Sequence, residues 1–211
     1  MPVSPSAISA PVQPAAHEIR YLALGDSFTI GTGSLRTEAF PTRLSERWRA
    51  MGHAVVLQNL AVNGFTTQDL LDIELPQVAS FAPTLVTLAV GANDLVRGSS
   101  TDRYRAQVRR IFAALAAAGV PAARVVALPQ PDWSLAPAAA DFGDPHEIAR
   151  RIETFNGVLA EEAQRAGARF IDIFPRMRAE AKRGAFARDG LHPSASAHDA
   201  WAEEIAARLP L

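Results

Sequence analysis

Ile19-Arg20-Tyr21-Leu22-Ala23-Leu24-Gly25-Asp26-Ser27-Phe28-Thr29-Ile30-Gly31 is the stretch around which the chain is organised. The run 19–24 is short and mostly apolar, the pattern of a buried strand. It stops at Gly25, and a serine comes next in a turn of small residues. A strand that ends sharply and then offers a hydroxyl is a way to present a nucleophile at a sheet edge. Gly, Asp and Ser are also ordinary turn residues, so the motif takes its meaning from the rest of the chain.

Outward from this stretch, strands and helices alternate. The spacing predicts a helix over 40–51, a strand over 54–62 ending at Asn63-Gly64, and a helix from Thr67 towards Val78. A strand over 84–90 ends at Gly91-Ala92-Asn93-Asp94, and an alanine-rich helix over 101–118 is closed by Gly119 and Pro121. A strand over 124–128 precedes an irregular Pro/Ala/Asp segment, 129–145, of the length that is either functional or mobile. A helix over 147–166, a strand over 169–173, a polar loop and a helix over 194–208 complete the chain. Strands that read as continuous apolar runs between helices indicate a parallel sheet covered on both faces. The expected fold is α/β: a three-layer α/β/α sandwich around a flavodoxin-like, five-stranded parallel sheet.

With 211 residues the chain suits one domain with a substantial core. Hydrophobic residues at 48% and charged residues at 20% match an ordinary globular protein. A formal net charge of -1 and dispersed arginines give no footprint for nucleic acid. The absence of cysteine excludes disulfides, thiolate metal sites and cysteine nucleophiles. Residues 1–16 contain no Lys or Arg, and prolines 2, 5, 11 and 14 interrupt them, unlike a signal peptide. We expect a flexible arm over 1–19 before a single domain over 20–211, no stable membrane insertion, and a cytoplasmic location.

In an open parallel sheet the carboxyl ends of the strands share one rim, where sites form. Ser27, Asn63-Gly64 and Asn93-Asp94 come just after the first three strands. Asp189-Gly190-Leu191-His192-Pro193-Ser194 lies in the loop after the fifth, on the same rim. A serine hydroxyl needs a neighbouring base, and histidine suits that role near neutral pH. Asp189, three residues before His192, is placed to accept from the far ring nitrogen and fix the tautomer. The oxyanion formed on attack needs donors, for which the Ser27 N–H, the Gly64 N–H and the Asn93 amide are candidates. Among the other histidines, His53 falls towards the opposite rim, His198 in the last helix and His17 in the arm. His146 is the rival base, with Asp144 reading as a helix cap. Asp26 and Asp94 read as backbone-capping groups rather than metal ligands, Gly31-Thr32-Gly33 is too short for a dinucleotide fingerprint, and no cofactor is expected. Trp133 and Phe142, in the long loop, are candidate walls of an acyl pocket.

Gly25-Asp26-Ser27-Phe28, Gly64, Gly91-Ala92-Asn93-Asp94 and Asp189-Gly190-Leu191-His192-Pro193 together resemble, in order, the four sequence blocks of the SGNH hydrolase superfamily, the GDSL esterases and lipases. Phe28 stands where the namesake motif has Leu, a substitution of one apolar residue for another. The resemblance implies a flavodoxin-like sandwich and hydrolysis of a small-molecule ester through an acyl-enzyme. Carboxylesterases and lysophospholipases are the implied types. Ser27 becomes nucleophile and first oxyanion donor, Gly64 and Asn93 the other donors, and Asp189 with His192 the rest of the triad. Acyl transfer by the same residues, or a non-catalytic binding module at the same rim, are the alternatives.

Overall fold

In the computed structural model, which describes residues 18–210, the five apolar runs form one all-parallel sheet. Its strands are β1 (Ile19–Gly25), β2 (Val55–Asn59), β3 (Leu85–Ala89), β4 (Val125–Ala127) and β5 (Arg169–Phe170), in the spatial order β2-β1-β3-β4-β5. The expected arm lies, over residues 1–17, outside the described residues, as does His17.

Side chains alternate across a strand, and β1 feeds two separate cores. Leu22 and Leu24 point to one face, where they pack with Val86, Leu88 and Ala127 beneath α6 (Thr101–Ala117) and α7 (Pro145–Ala166). Tyr21 and Ala23 point to the other, against α2 (Phe40–Ala50) and α9 (Ala195–Arg208), through Phe40, Leu44, Trp48, Trp201 and Ile205. Both faces are therefore covered, and the architecture is the three-layer sandwich. Each fully buried Leu or Ile contributes roughly 1.5–3 kcal/mol relative to exposure, so the continuous apolar runs are what hold the layers together.

Differences from the sequence reading have local causes. β2 ends at Asn59 rather than 62, because the Asn59 side chain takes over. Its Nδ2 donates to the Thr29 carbonyl (3.0 Å) and its Oδ1 accepts from the Ala61 N–H (3.1 Å). β5 stops at Phe170 rather than 173; Asp172 Oδ1 instead accepts from the Phe174 N–H (3.0 Å), where the helix Phe174–Lys182 begins. That helix was expected as loop. It carries four charged residues, Arg176, Arg178, Glu180 and Lys182, alternating with Met177, Ala179 and Ala181, and buries only Met177 and Glu180, so its apolar periodicity is faint.

The helix expected over 67–78 is a composite: α3 (Thr67–Asp69), a π turn (Leu70–Glu74), a 3₁₀ turn (Leu75–Gln77) and α4 (Val78–Phe81). Pro76 has no N–H to continue an α ladder, and the Leu75 N–H reaches back to the Leu70 carbonyl. Two further short helices extend from strand ends: α1 (Ser27–Ile30) after β1 and α5 (Ala92–Val96) after β3. Numbered in chain order, Phe174–Lys182 is α8. No helix among the described residues is long and apolar enough to cross a membrane.

Candidate active site

Ser27 opens α1, so its N–H belongs to the group that a helix leaves without an internal partner. Asp26 is the N-cap: extended in backbone, it accepts the Phe28 N–H on Oδ1 at 3.0 Å. This is the capping role read from the sequence, and a cap of this kind is worth about 1 kcal/mol. The hydroxyl is less open than the sequence suggested. Ser27 is 6% exposed and lines a cleft of about 190 Å³.

That cleft brings together much of what the sequence placed apart. Ser27, Asn93 and His192 all line it, with Asn63, Trp133 and Phe142. Asn93 sits in the first turn of α5, and its Nδ2 donates to the Phe65 carbonyl at 3.0 Å. Gly64 is not a lining residue but adjoins one, Asn63, and its carbonyl accepts from Arg97 Nη2 at 2.9 Å. The turn after β2 is thus tied to α5 by two bonds. A Cβ at Gly64 would stand in open space, and its φ of +84° is the left-handed conformation glycine adopts freely.

Asp189 lies behind His192, Oδ2 to Nδ1 at 2.8 Å, while its Oδ1 accepts the backbone N–H groups of Leu191 and His192, each at 3.0 Å. Burial raises the Asp189 carboxyl. The N–H groups of Leu191 and His192 and the imidazole outweigh that, and the net position is below the usual carboxylate range. A carboxylate fixed by two backbone donors has one orientation left for the ring. The turn is itself pinned by an antiparallel bridge between Phe186 and Pro193 and by the Ala187 N–H bonded to the His192 carbonyl at 2.7 Å.

The remaining histidines fall outside the cleft. His146 lies in the first turn of α7, and its N–H is bonded to Asp144 Oδ1 at 3.0 Å, Asp144 being the N-cap. His198 is fully buried between Phe40 and Trp201, and burial, then the neighbouring His192, push it down to about 4. His53 sits in the connection from α2 into β2, away from the carboxyl ends of the strands.

The long segment 129–145 is ordered by polar ties. The Gln130 backbone and the Asn156 side chain exchange two bonds (2.9 and 3.0 Å), and buried Asp132 accepts from Arg178 Nε at 2.7 Å. These hold Trp133 in the cleft wall with Phe142 edge-on to it, ring centroids 5.8 Å apart.

Three acids lie buried beneath the nucleophile turn. The π turn delivers Glu74, whose Oε2 accepts the Gly25 N–H at 3.0 Å. Burial drives its carboxyl up to about 9, against the Gly25 N–H and with the help of Asp26. Asp26 is raised to about 7 by burial, opposed by the Phe28 N–H and reinforced by Asp94. Asp94 is raised in the same direction by burial, although the Thr67 hydroxyl and N–H both donate to it.

In the sequence Gly33 stands out only as part of a nucleotide-loop pattern. In the fold it lies against the triad candidates: a Cβ there would stand 3.0 Å from Asp189 Oδ2 and 3.3 Å from His192 Cβ. Nothing in local sequence announces a contact across more than 150 residues.

A nucleophile candidate at the end of β1, an imidazole–carboxylate pair and the Asn93 amide thus lie on one rim of a flavodoxin-like sheet. The chain belongs to the GDSL-like Lipase/Acylhydrolase family, whose model matches residues 23–200. It is accordingly an esterase or acylhydrolase. Comparison with curated proteins gave no match. Among solved structures, TesA is similar at 23% identity, over 90% of this chain and 97% of that one, with a TM-score of 0.73. Axe2, an acetylxylan esterase from Geobacillus stearothermophilus, matches at 19% identity over 93% and 95%, TM-score 0.73. The lipase/acylhydrolase from Enterococcus faecalis matches at 24% identity over 90% and 97%, TM-score 0.70. At these identities the likeness establishes the fold.

Proposed function

We propose that the protein is a serine esterase working through an acyl-enzyme, with Ser27 as nucleophile and His192–Asp189 as its activating pair. The reading rests chiefly on one observation: the imidazole oriented by Asp189 at 2.8 Å opens on the same cleft as Ser27 and Asn93. His192 Nε2 takes the Ser27 proton as Oγ adds to the ester carbonyl, and Asp189 accepts from Nδ1–H and steadies the imidazolium. The Ser27 N–H, the Gly64 N–H and the second Asn93 amide hydrogen hold the oxyanion. Collapse expels the alcohol, which receives the proton from His192. Water, deprotonated by the same ring, then frees the acid.

The cleft size bears on the acyl group. At about 190 Å³ the cleft is smaller than the roughly 300–1,000 Å³ of pockets that enclose drug-sized ligands. Such a chamber takes a short acyl chain whole and leaves a long one outside, so the reading is a short-chain carboxylesterase. Hydrolysis of p-nitrophenyl esters from acetyl to palmitoyl, wild type beside Ser27→Ala, tests this. Turnover that falls off with chain length and disappears in the variant is the expected result. Turnover that survives in Ser27→Ala, or no labelling of Ser27 by a fluorophosphonate, overturns it.

A further inference from the structure

Asn63 belongs to two cavities. One is the cleft that holds Ser27, whose walls are Phe28, Val96, Trp133, Phe142 and Leu191 in the main. The other is a depression of about 360 Å³ between the segment just after α1 and the turn after β2. Thr32, Ser34, Arg36 and Asn63 line it together with Ile30, Gly31, Ala61 and Val62, and no carboxylate is among its lining residues. Thr32 is joined directly to the nucleophile turn, its N–H donating to the Ser27 carbonyl at 3.0 Å.

Arg36 distinguishes this depression. Most arginines of this chain are engaged by a carboxylate or a backbone carbonyl: Arg105, Arg109 and Arg165 by Glu162, Arg178 by Asp132, Arg20 by the Phe81 carbonyl. Among the described residues the Arg36 guanidinium has no such partner; only its backbone carbonyl is bonded, by the Thr42 hydroxyl. A cation without a counter-ion, beside hydroxyl and amide donors, suits an anionic group with several acceptor oxygens.

An ester has two halves, and two chambers share Asn63, one holding Ser27 and the other holding an arginine and no carboxylate. Resting on the esterase reading, we propose that the Arg36 depression receives the alcohol half of the substrate, and that this half carries a carboxylate or a phosphate. The cleft that holds Ser27 then takes the acyl half. The guanidinium pairs with the anion, while Thr32, Ser34 and Asn63 supply neutral hydrogen bonds. Arg36 touches the substrate away from the reacting atoms, so it sets specificity and does not take part in the chemistry.

Three acetates sharing a phenol leaving group test the proposal: methyl 4-acetoxybenzoate, 4-acetoxybenzoate and 4-acetoxyphenyl phosphate. The kcat/KM ratio of each anionic ester to the neutral one is measured in wild type and divided by the same ratio in Arg36→Ala, which cancels the leaving groups' intrinsic reactivities. An exposed ion pair makes this quotient about fivefold at low salt, shrinking towards one at high salt as screening sets in. Arg36→Lys should keep part of the preference and Arg36→Glu should reverse it. Whichever anion gives the larger quotient identifies the source of the charge. A second readout needs no turnover: binding of 4-hydroxybenzoate and of phenyl phosphate to Ser27→Ala, monitored by NMR, should weaken when Arg36→Glu is added. A quotient of one for both anions, with binding unmoved by Arg36→Glu, overturns the proposal while leaving the esterase reading intact. Failure of wild type to hydrolyse the neutral acetate in a Ser27-dependent way overturns the esterase reading instead, and the binding experiment still decides the role of Arg36.

Discussion

Substituting alanine for Gly33 adds one carbon at a point where two effects can be separated. The φ of Gly33 is +85°, so any L-residue there carries a backbone penalty of about 1–2 kcal/mol. For a chain of this size each kcal/mol lowers Tm by roughly 2–4 °C. Gly52 supplies the control: its φ is +93° and a Cβ there meets nothing within 4 Å. At Gly33 the new carbon also stands 2.7 Å from Ala187 Cβ and 3.0 Å from Asp189 Oδ2. Ordinary contact begins near 3.5 Å, so the carboxylate must retreat by about 0.5 Å, the difference between 3.5 and 3.0. A 1 Å misplacement costs about 10²-fold in rate, so half of that corresponds to about tenfold in kcat, with KM little changed. Steady-state hydrolysis of p-nitrophenyl acetate beside thermal melts of wild type, Gly33→Ala and Gly52→Ala makes the comparison. A melting loss at least as large in Gly33→Ala as in Gly52→Ala, the clash with Ala187 adding to the backbone term, with a kcat deficit confined to Gly33→Ala, is the expected pattern. If Gly33→Ala lost stability but kept kcat within a factor of two, the glycine would be a turn residue only, and the inference from its contact with Asp189 would be refuted.

Asp189→Asn should cut kcat by on the order of 10⁴, as the equivalent change does in the serine-protease triad, while melting changes little because the side chain is partly exposed; wild-type turnover would show that the carboxylate does not orient His192. Glu74→Gln should flatten the alkaline limb of stability. A carboxyl raised from 4.5 to about 9 on folding contributes stability that is complete below pH 4.5 and is lost as pH rises through 9. His198, depressed to about 4, has the opposite sign and is already neutral in both states above pH 6.5. Between pH 7 and 9 the wild-type Tm should therefore fall while that of Glu74→Gln stays nearly level, and parallel curves would exclude the assignment. Phe142→Ala should open the outer wall of the cleft and move the acyl optimum towards longer chains, read from the p-nitrophenyl series; an unchanged optimum would place the acyl group elsewhere.

Much of this was legible in the sequence because the architecture does the long-range work. Continuous apolar runs declare a parallel sheet, a parallel sheet puts every strand's carboxyl end on one rim, and Ser27, Asn93 and His192 all lie beyond strand ends. The approach of Asp189 to His192 was readable for a local reason, since three residues of tight turn leave few other places for the carboxylate. What escaped has equally physical causes. α8 buries too few residues to show a period. Glu74 falls inside a stretch that reads as one ordinary helix, and only the π turn before Pro76 aims it at Gly25. The order of segment 129–145 comes from Asn156 and Arg178, side chains on distant helices that its own Pro/Ala composition does not announce. Gly33 and Arg36 draw their interest from what faces them across space.

The split of the site between the first and the last strand of the sheet has a consequence for synthesis. Ser27 comes directly after the first strand, whereas Asp189 and His192 come after β5, a strand of two residues at the sheet edge, and are held between α8 and α9. The α9 helix docks on α2, one of the earliest helices translated, through Trp201 and Phe40. Until that closing contact forms, a nascent chain can have built most of its sheet and still present a serine with no base beside it. Hydrolytic competence would then wait for α9 to be made and docked, and would be lost when that helix lets go.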